Sequence, residues 1–405
     1  MRLLHRTILP ALLALVTACG GGDALARGVT VDTLPGGIPR TMSAAPIDSG
    51  RWSLVLGREI QPPEGTEGEL FNPAGLAIAD DGHLLVVEQN PAQVKVYSPT
   101  GEHLRTIGRN GEGPGEYRAA FIALRGDTML VQDPRNSRVS TVNWRTGELV
   151  TTRRSACCHW APIGIDVHGQ AWLRTIFSAP DSGYRYVQGY LRVGLLDGPM
   201  DTLWAYERRD LPETPYWQLR EGGVVRMSTV IPFQPRAHFA VDPAGVLVTG
   251  WSGEYQLRTT RTGRDTVALF GRRWQAEPVS AGERQRIYDE AIRGWVSRGA
   301  AGGDEAALRR AFDSALIPAL RPAYDHVQVD DAGRRWLLRS DADTSRTRFD
   351  LFDAEGRWLD IVEVDPALWT RNIYTGIAWG RREVAVSAEG DDGRPIVRIF
   401  TVRRR

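Results

Sequence analysis

From residue 71 onward the chain alternates short apolar, β-branched runs with turn dipeptides, and the alternation repeats. The first unit reads FNPAGLAIADDGHLLVVEQNPAQVKVYSPTGEHLRTIGRNGEGPGEY over residues 71–117. Its apolar runs at 74–79, 83–88, 93–97 and 102–107 have the length and spacing of sheet strands. Asp81-Gly82 and Thr100-Gly101 separate neighbouring runs, because glycine accepts the positive φ that a tight hairpin turn needs. The same four-run unit returns over 121–153, with a Thr146-Gly147 turn, and again over 163–206, 237–270 and 326–362. In the third unit the middle runs are joined by a longer connection, 177–189.

The last segment supplies only three runs, at 374–379, 383–387 and 396–402, while residues 52–56 form a strand-like run with no neighbour of its own. Pairing the two would complete a final four-stranded unit and remove an exposed sheet edge. Residues 275–322 break the pattern. Within them Ile287, Ala291 and Trp295 recur at helical spacing, Ser280 and Glu283 form a capping box, and Gly302-Gly303-Asp304 opens a second helix to about residue 320. With that stretch set aside, the repeat averages roughly 51 residues, close to the period of about 50 residues found in radially arranged sheets. The expected fold is all-β: a six-bladed β-propeller with a two-helix insertion and an N-terminal strand closing the last blade.

The first residues carry an address. Arg2, His5 and Arg6 precede a short apolar core over residues 8–16, too short for a permanent span. Leu15-Val16-Thr17-Ala18-Cys19 resembles the lipobox of bacterial lipoproteins, in which the cysteine is acylated and becomes the new N-terminus. The resemblance implies a signal peptide over 1–18, a lipidated Cys19, a flexible tether over 19–50 and the propeller over 51–405. Several acyl chains on one residue would hold a soluble domain at a membrane. Gly20, where an inner-membrane retention signal would have Asp, points to the outer membrane.

A formal charge of +1 gives no electrostatic reason to expect nucleic acid. The 13 Trp suit the wide, wedge-shaped space between blades and are expected mostly in the core. Cys157 and Cys158 are adjacent and precede His159. In an oxidising compartment they are expected as a vicinal disulfide. Two buried thiols, or a thiolate–imidazole site for Cu(I) or Zn with His159, are the alternatives. His238 and His326 stand at matching places in the first strands of their units, three residues before Val241 and Val329, and Arg236 and Tyr324 are matched two positions earlier. First strands line the axis of such a fold, so Asn72, His159, Arg236, His238, Tyr324, His326 and Asn372 are candidate ligand contacts in a central funnel. Aspartates such as Asp81, Asp242, Asp330 and Asp353 fall in turns, and no EF-hand, phosphate loop or nucleophile elbow is present.

Phe71, Pro73, Gly75, Asp81-Gly82 and Val94-Lys95-Val96-Tyr97, with Asp133, Asn136, Arg138 and Val139 of the second unit, resemble NHL-type propellers and the bacterial six-bladed propeller lipoproteins. The resemblance covers about a quarter of the chain. It implies that Asp133 and Arg138 are structural, and that the protein is a monomeric, non-catalytic binder of a protein, peptide or glycan, with no cofactor and no metal. A metal-dependent hydrolase or lyase with its site in the funnel is the competing expectation.

Overall fold

The computed structural model describes residues 28–155, 163–178, 186–195, 200–204, 214–343, 345–364 and 376–405. The protein is an all-β propeller. Sheet one is Pro73–Ile78, Leu84–Gln89, Ala92–Tyr97 and His103–Ile107, and sheet two is Phe121–Arg125, Thr128–Asp133, Arg138–Asn143 and Glu148–Arg154. Sheet three is Ile163–Ile165, Gln170–Ser178, Tyr186–Gly194 and Met200–Trp204. Sheet four is Ala237–Asp242, Val246–Trp251, Gln256–Thr260 and Ala268–Arg272; sheet five is His326–Val329, Arg335–Leu338, Thr347–Phe352 and Trp358–Val364. Sheet six is Ile377–Trp379, Glu383–Glu389 and Pro395–Arg404, and Trp52–Ile60 lies antiparallel against its last strand with Trp52 opposite Arg404. One parallel pair, Val364 opposite Leu54, joins sheets five and six at their margins.

Local chemistry repeats with the sheets. The side chain at the end of a second strand accepts the backbone N–H groups that lead into the first strand. Glu88 accepts from Phe71 and Asn72 at 3.1 and 2.6 Å. Asp133 accepts from Arg118, Ala119 and Asn136, at 3.0, 3.2 and 3.2 Å. Ser252 Oγ accepts from Arg236 at 3.0 Å. Arg138 donates to the carbonyls of Glu112 and Glu116, so Asp133 and Arg138 hold the backbone that joins sheets one and two. At the opposite end, Asp166 and Asp330 each close a turn and accept from an indole six residues on, Trp172 and Trp336, both at 2.9 Å. Asp166 is satisfied by backbone and indole donors, whereas Asp330 also pairs with Arg334 at 2.6 Å.

Apolar clusters fill the spaces between successive sheets. Val94 and Tyr117 meet Met129 and Val142 between sheets one and two; Ala123 and Leu130 meet Ala171 and Leu173 between two and three. Trp172 and Tyr190 meet Leu247; Val248 and Phe270 meet Leu337 and Phe352; Trp336 and Leu351 meet Val384 and Phe400. Leu76 and Ile78 of sheet one pack on Ala378, Ala385 and Ile399 of sheet six. Trp144, Trp172, Trp217 and Trp336 are among the largest fully buried side chains, as expected for this class of residue. Burying one such ring is worth roughly 2–3 kcal/mol relative to leaving it in water.

The structure corrects the sequence reading in several places. Strand β1 (Val29–Leu34) and strand β2 (Ile38–Ser43), read as part of a tether, form a hairpin whose second strand runs parallel to Ala268–Arg272 of sheet four. In sheet three the strands continue through part of the expected connection, with Ser178 opposite Tyr186. An unforeseen hairpin, Tyr216–Glu221 with Val224–Val230, stands between sheets three and four. Its Trp217 and Leu219 share a core with helix α1 (Ala281–Ser297) and helix α2 (Glu305–Ala311). The buried face of α1 centres on Tyr288 and Ile292, one position round from Ile287 and Ala291. Ser280 caps it by accepting from Glu283 N at 3.1 Å, but the Glu283 carboxylate turns away to Arg321. Helix α2 begins at the expected Asp304 cap and stops at Ala311 rather than near 320. Phe312 there is extended, and Asp313 caps a short 3-10 turn instead.

Asp133 is buried and bonds three backbone donors, whereas Asp81 sits in an exposed cluster with His83 and Arg145. Asp133→Ala therefore lowers unfolding free energy by about 3 kcal/mol. Asp81→Ala costs less than about 1 kcal/mol. Urea denaturation of the two variants checks the difference.

Candidate functional site

The first strands of sheets four and five run side by side. His238 enters on Ala237–Asp242, where alternate residues His238, Ala240 and Asp242 are buried. His326 opens His326–Val329 at the corresponding level. The alternation that places Ala240 in the core also turns His238 inward. The two imidazoles are 4% and 6% exposed, and their ring centroids are 6.4 Å apart. Tyr324 is fully buried between them and the body of sheet four, 5.2 Å from the His238 ring and 5.6 Å from the Tyr255 ring.

Glycine makes room for this arrangement. Gly250 lies opposite His238 in the register, and a Cβ there would fall 2.2 Å from the Tyr324 hydroxyl. Beneath Tyr324, Tyr255 donates to Asp350, which also accepts from Arg272 Nε at 2.9 Å and Arg339 Nη1 at 3.2 Å. Asp350 is completely buried, so three donors from sheets four and five converge on one carboxylate. Such a pair, satisfied by several hydrogen bonds, fixes the relation between the two sheets. Burial and the Asp350 charge hold the Tyr255 hydroxyl well above its usual range.

Burial also sets the state of the histidines. Loss of hydration, followed by the Arg236 and Arg174 charges, pushes His326 down to about 3. The same causes, with His326 itself adding to the repulsion, hold His238 well below an ordinary histidine. Both are neutral at physiological pH. Each then offers one N–H and one bare nitrogen. Gln328 Nε2 lies 2.7 Å from His326 Nε2 and fixes that nitrogen as an acceptor. His238 Nε2 is buried with no hydrogen-bond partner among the described residues. Asp325, whose carboxyl is raised chiefly by burial, lies within the field of Arg236.

Of the residues expected to line a funnel, the structure brings together Arg236, His238, Tyr324 and His326. Asn72 is exposed, and its backbone N–H is held by Glu88 of sheet one at 2.6 Å. Cys19, Cys157, Cys158, His159 and Asn372 lie outside the described residues. Asp325, Gln328 and Gly250 were not foreseen. Gln328 was within reach of sequence reasoning, since residues two apart on a strand share a face.

No protein-family model and no curated protein matches the sequence. Solved structures are similar to it at low identity. A member of the DUF4221 family from Bacteroides vulgatus is 12% identical with a TM-score of 0.48, over 88% of this chain and 100% of that one. An aldose sugar dehydrogenase from Streptomyces coelicolor in its PQQ-bound form is 13% identical with a TM-score of 0.43, over 89% and 100%. A calcium-binding protein, regucalcin, from Agrobacterium tumefaciens is 10% identical with a TM-score of 0.39, over 87% and 97%.

The neutral histidines give stability a definite pH dependence. Their folded-state values lie below the unfolded value of about 6.5. The unfolded chain therefore binds the extra protons, and stability is full above that value and lost as pH falls toward 3. Each imidazole contributes a slope of about 1.4 kcal/mol per pH unit below 6.5. Urea unfolding between pH 7 and 5 is expected to show this loss in the parent protein and a flatter profile in His238→Gln/His326→Gln.

Proposed function

We propose that the chain is a closed six-bladed propeller, lipid-anchored through Cys19 at the bacterial envelope, which binds an oxygen-rich ligand at the His238–Tyr324–His326 cluster without catalysing a reaction. Ring closure is supported by the cluster of Leu76 and Ile78 against Ala378 and Ala385, and by the pairing of Trp52–Ile60 with the last strand. Anchoring is supported by the lipobox-like run Leu15-Val16-Thr17-Ala18-Cys19.

The observation that carries the binding reading is a buried, neutral imidazole with an unused nitrogen, His238 Nε2, next to a second neutral imidazole. Burying a polar atom without a partner is costly, and a bound ligand that supplies one offsets the cost. The local field favours an oxygen acceptor or hydroxyl over a cation, because Arg236 and Arg174 both act on the pair. A peptide backbone or a glycan carries donors and acceptors suited to neutral imidazoles. The same field weighs against the hydrolase or lyase reading, which requires a metal cation among these groups.

Two measurements test the proposal. Full-length protein expressed in a Gram-negative host with labelled palmitate is expected to carry label and partition into detergent; Cys19→Ser is expected to lose both. The purified soluble form of that variant is then applied to glycan and peptide arrays. His238→Ala and Arg236→Gln are expected to lose about tenfold or more in affinity for any hit. Unlabelled parent protein contradicts the anchor, and hits unaffected by both substitutions contradict the site. Stoichiometric metal in the purified protein returns the enzyme reading to first place.

A further inference from the structure

The N-terminal hairpin fixes the end of the sheets at which a tethered chain leaves them. Strand β2 runs parallel to Ala268–Arg272 with Ser43 opposite Arg272, and Arg273 N donates to the Ser43 carbonyl at 2.8 Å. Ala44 N donates to the Gly28 carbonyl at 2.7 Å, so Gly28 stands at the Arg272 end of sheet four. Register carries that level across the sheet: Phe270 lies opposite Leu257, Leu257 opposite Gly250, and Gly250 opposite His238. Gly28 therefore stands at the end where the His238 strand begins. The helical insertion belongs to the same end, since it follows Arg272 and leads into His326.

Reach then decides which end can face a membrane. Nine peptide units join Cys19 to Gly28, and fully extended they span at most about 30 Å. The strand Ala237–Asp242 has six residues and rises roughly 20 Å. A bilayer at the opposite end would use most of the reach merely to pass the sheet.

The insertion end carries an apolar ridge. Residues 314–320 read SALIPAL and hold no charged side chain. Leu316 and Leu320 are 41% and 53% exposed, while Ile317 between them is buried in the core with Trp217 and Phe312. The ridge is held from both sides. Trp217 Nε1 donates to the Asp313 carbonyl at 2.8 Å, and the Ala319 carbonyl accepts from Val279 N at 2.8 Å. Leu320 pairs with Pro278, five residues beyond Arg273, which ties the ridge to the strand end where Gly28 stands.

We propose that Leu316 and Leu320 rest in the interface of the bilayer that holds Cys19, so that the insertion end of the sheets faces lipid. The proposal rests on the lipid anchoring proposed above. Apolar side chains enter the boundary between headgroups and acyl chains and add to the hold of the anchor. The tether makes this second contact intramolecular, so a weak one suffices. A ridge already fixed by Ile317 loses little further freedom on docking.

In the test, a hexahistidine tag replaces residues 1–18 and holds the chain on phosphatidylcholine vesicles through a nickel-chelating lipid. The tether then starts at a membrane whether or not Cys19 is acylated. A dansyl side chain is introduced at Ala319, exposed on the ridge, or at Val167, 50% exposed in a turn at the opposite end. Brominated phosphatidylcholine is expected to quench the probe at 319 and not the probe at 167. Leu316→Asp/Leu320→Asp, which alters two exposed positions, is expected to abolish the quenching at 319. No quenching at 319, equal quenching at both places, or quenching that survives the two aspartates overturns the proposal. A dimer in sedimentation velocity that the same aspartates dissolve, without quenching, overturns it in favour of a second copy of this chain. Quenching at 319 alone, together with no palmitate on the full-length protein, removes the anchor and still supports the ridge as a lipid contact.

Discussion

Removing water from the space between two neighbouring inner strands sets the behaviour of everything at this end of the molecule. Sheets four and five approach closely because Val248, Leu257, Phe270, Leu337 and Phe352 fill the gap between them. Asp350 receives donors from both sheets and fixes their relative position. Once the gap is dry, an ionised imidazole inside it loses hydration that the packed wall does not return. His238 and His326 consequently stay neutral, and the arginines beside them deepen the effect. Packing, in this molecule, is what selects the protonation state.

The same economy of polar groups runs through the scaffold. Glu88, Asp133 and Ser252 stand at comparable strand ends and take up the backbone donors leading into each first strand. Asp166 and Asp330 do so at the other end, each with an indole. These devices fix where a first strand begins, and hence which residues face inward. His238 and His326 hold equivalent places in register, opposite Gly250 and Leu338 of their second strands. His238 Nε2 is one of several buried polar atoms among the described residues that stand outside this pattern of local satisfaction.

The strands were legible because alternation and Asp-Gly turns are local signals. Residues 83–88 could be read as a strand without knowing what covers them. The matching of His238 with His326 was legible for the same reason, as an offset from a strand end. The hairpin around Gly222-Gly223 was missed although its turn is marked, because a two-stranded unit outside the repeat has no counterpart to compare with. The end of α2 was misplaced because Phe312 leaves the helix to fill the core against Trp217, a tertiary demand with no trace in local periodicity.

The direct test of this account is a proton-coupled carbon or nitrogen NMR titration of the histidine side chains in the folded protein. His238 and His326 are expected to retain the shifts of neutral imidazole at pH 5. Titration of either ring near the ordinary histidine value of about 6.5 would contradict the claim that packing between sheets four and five holds the pair uncharged.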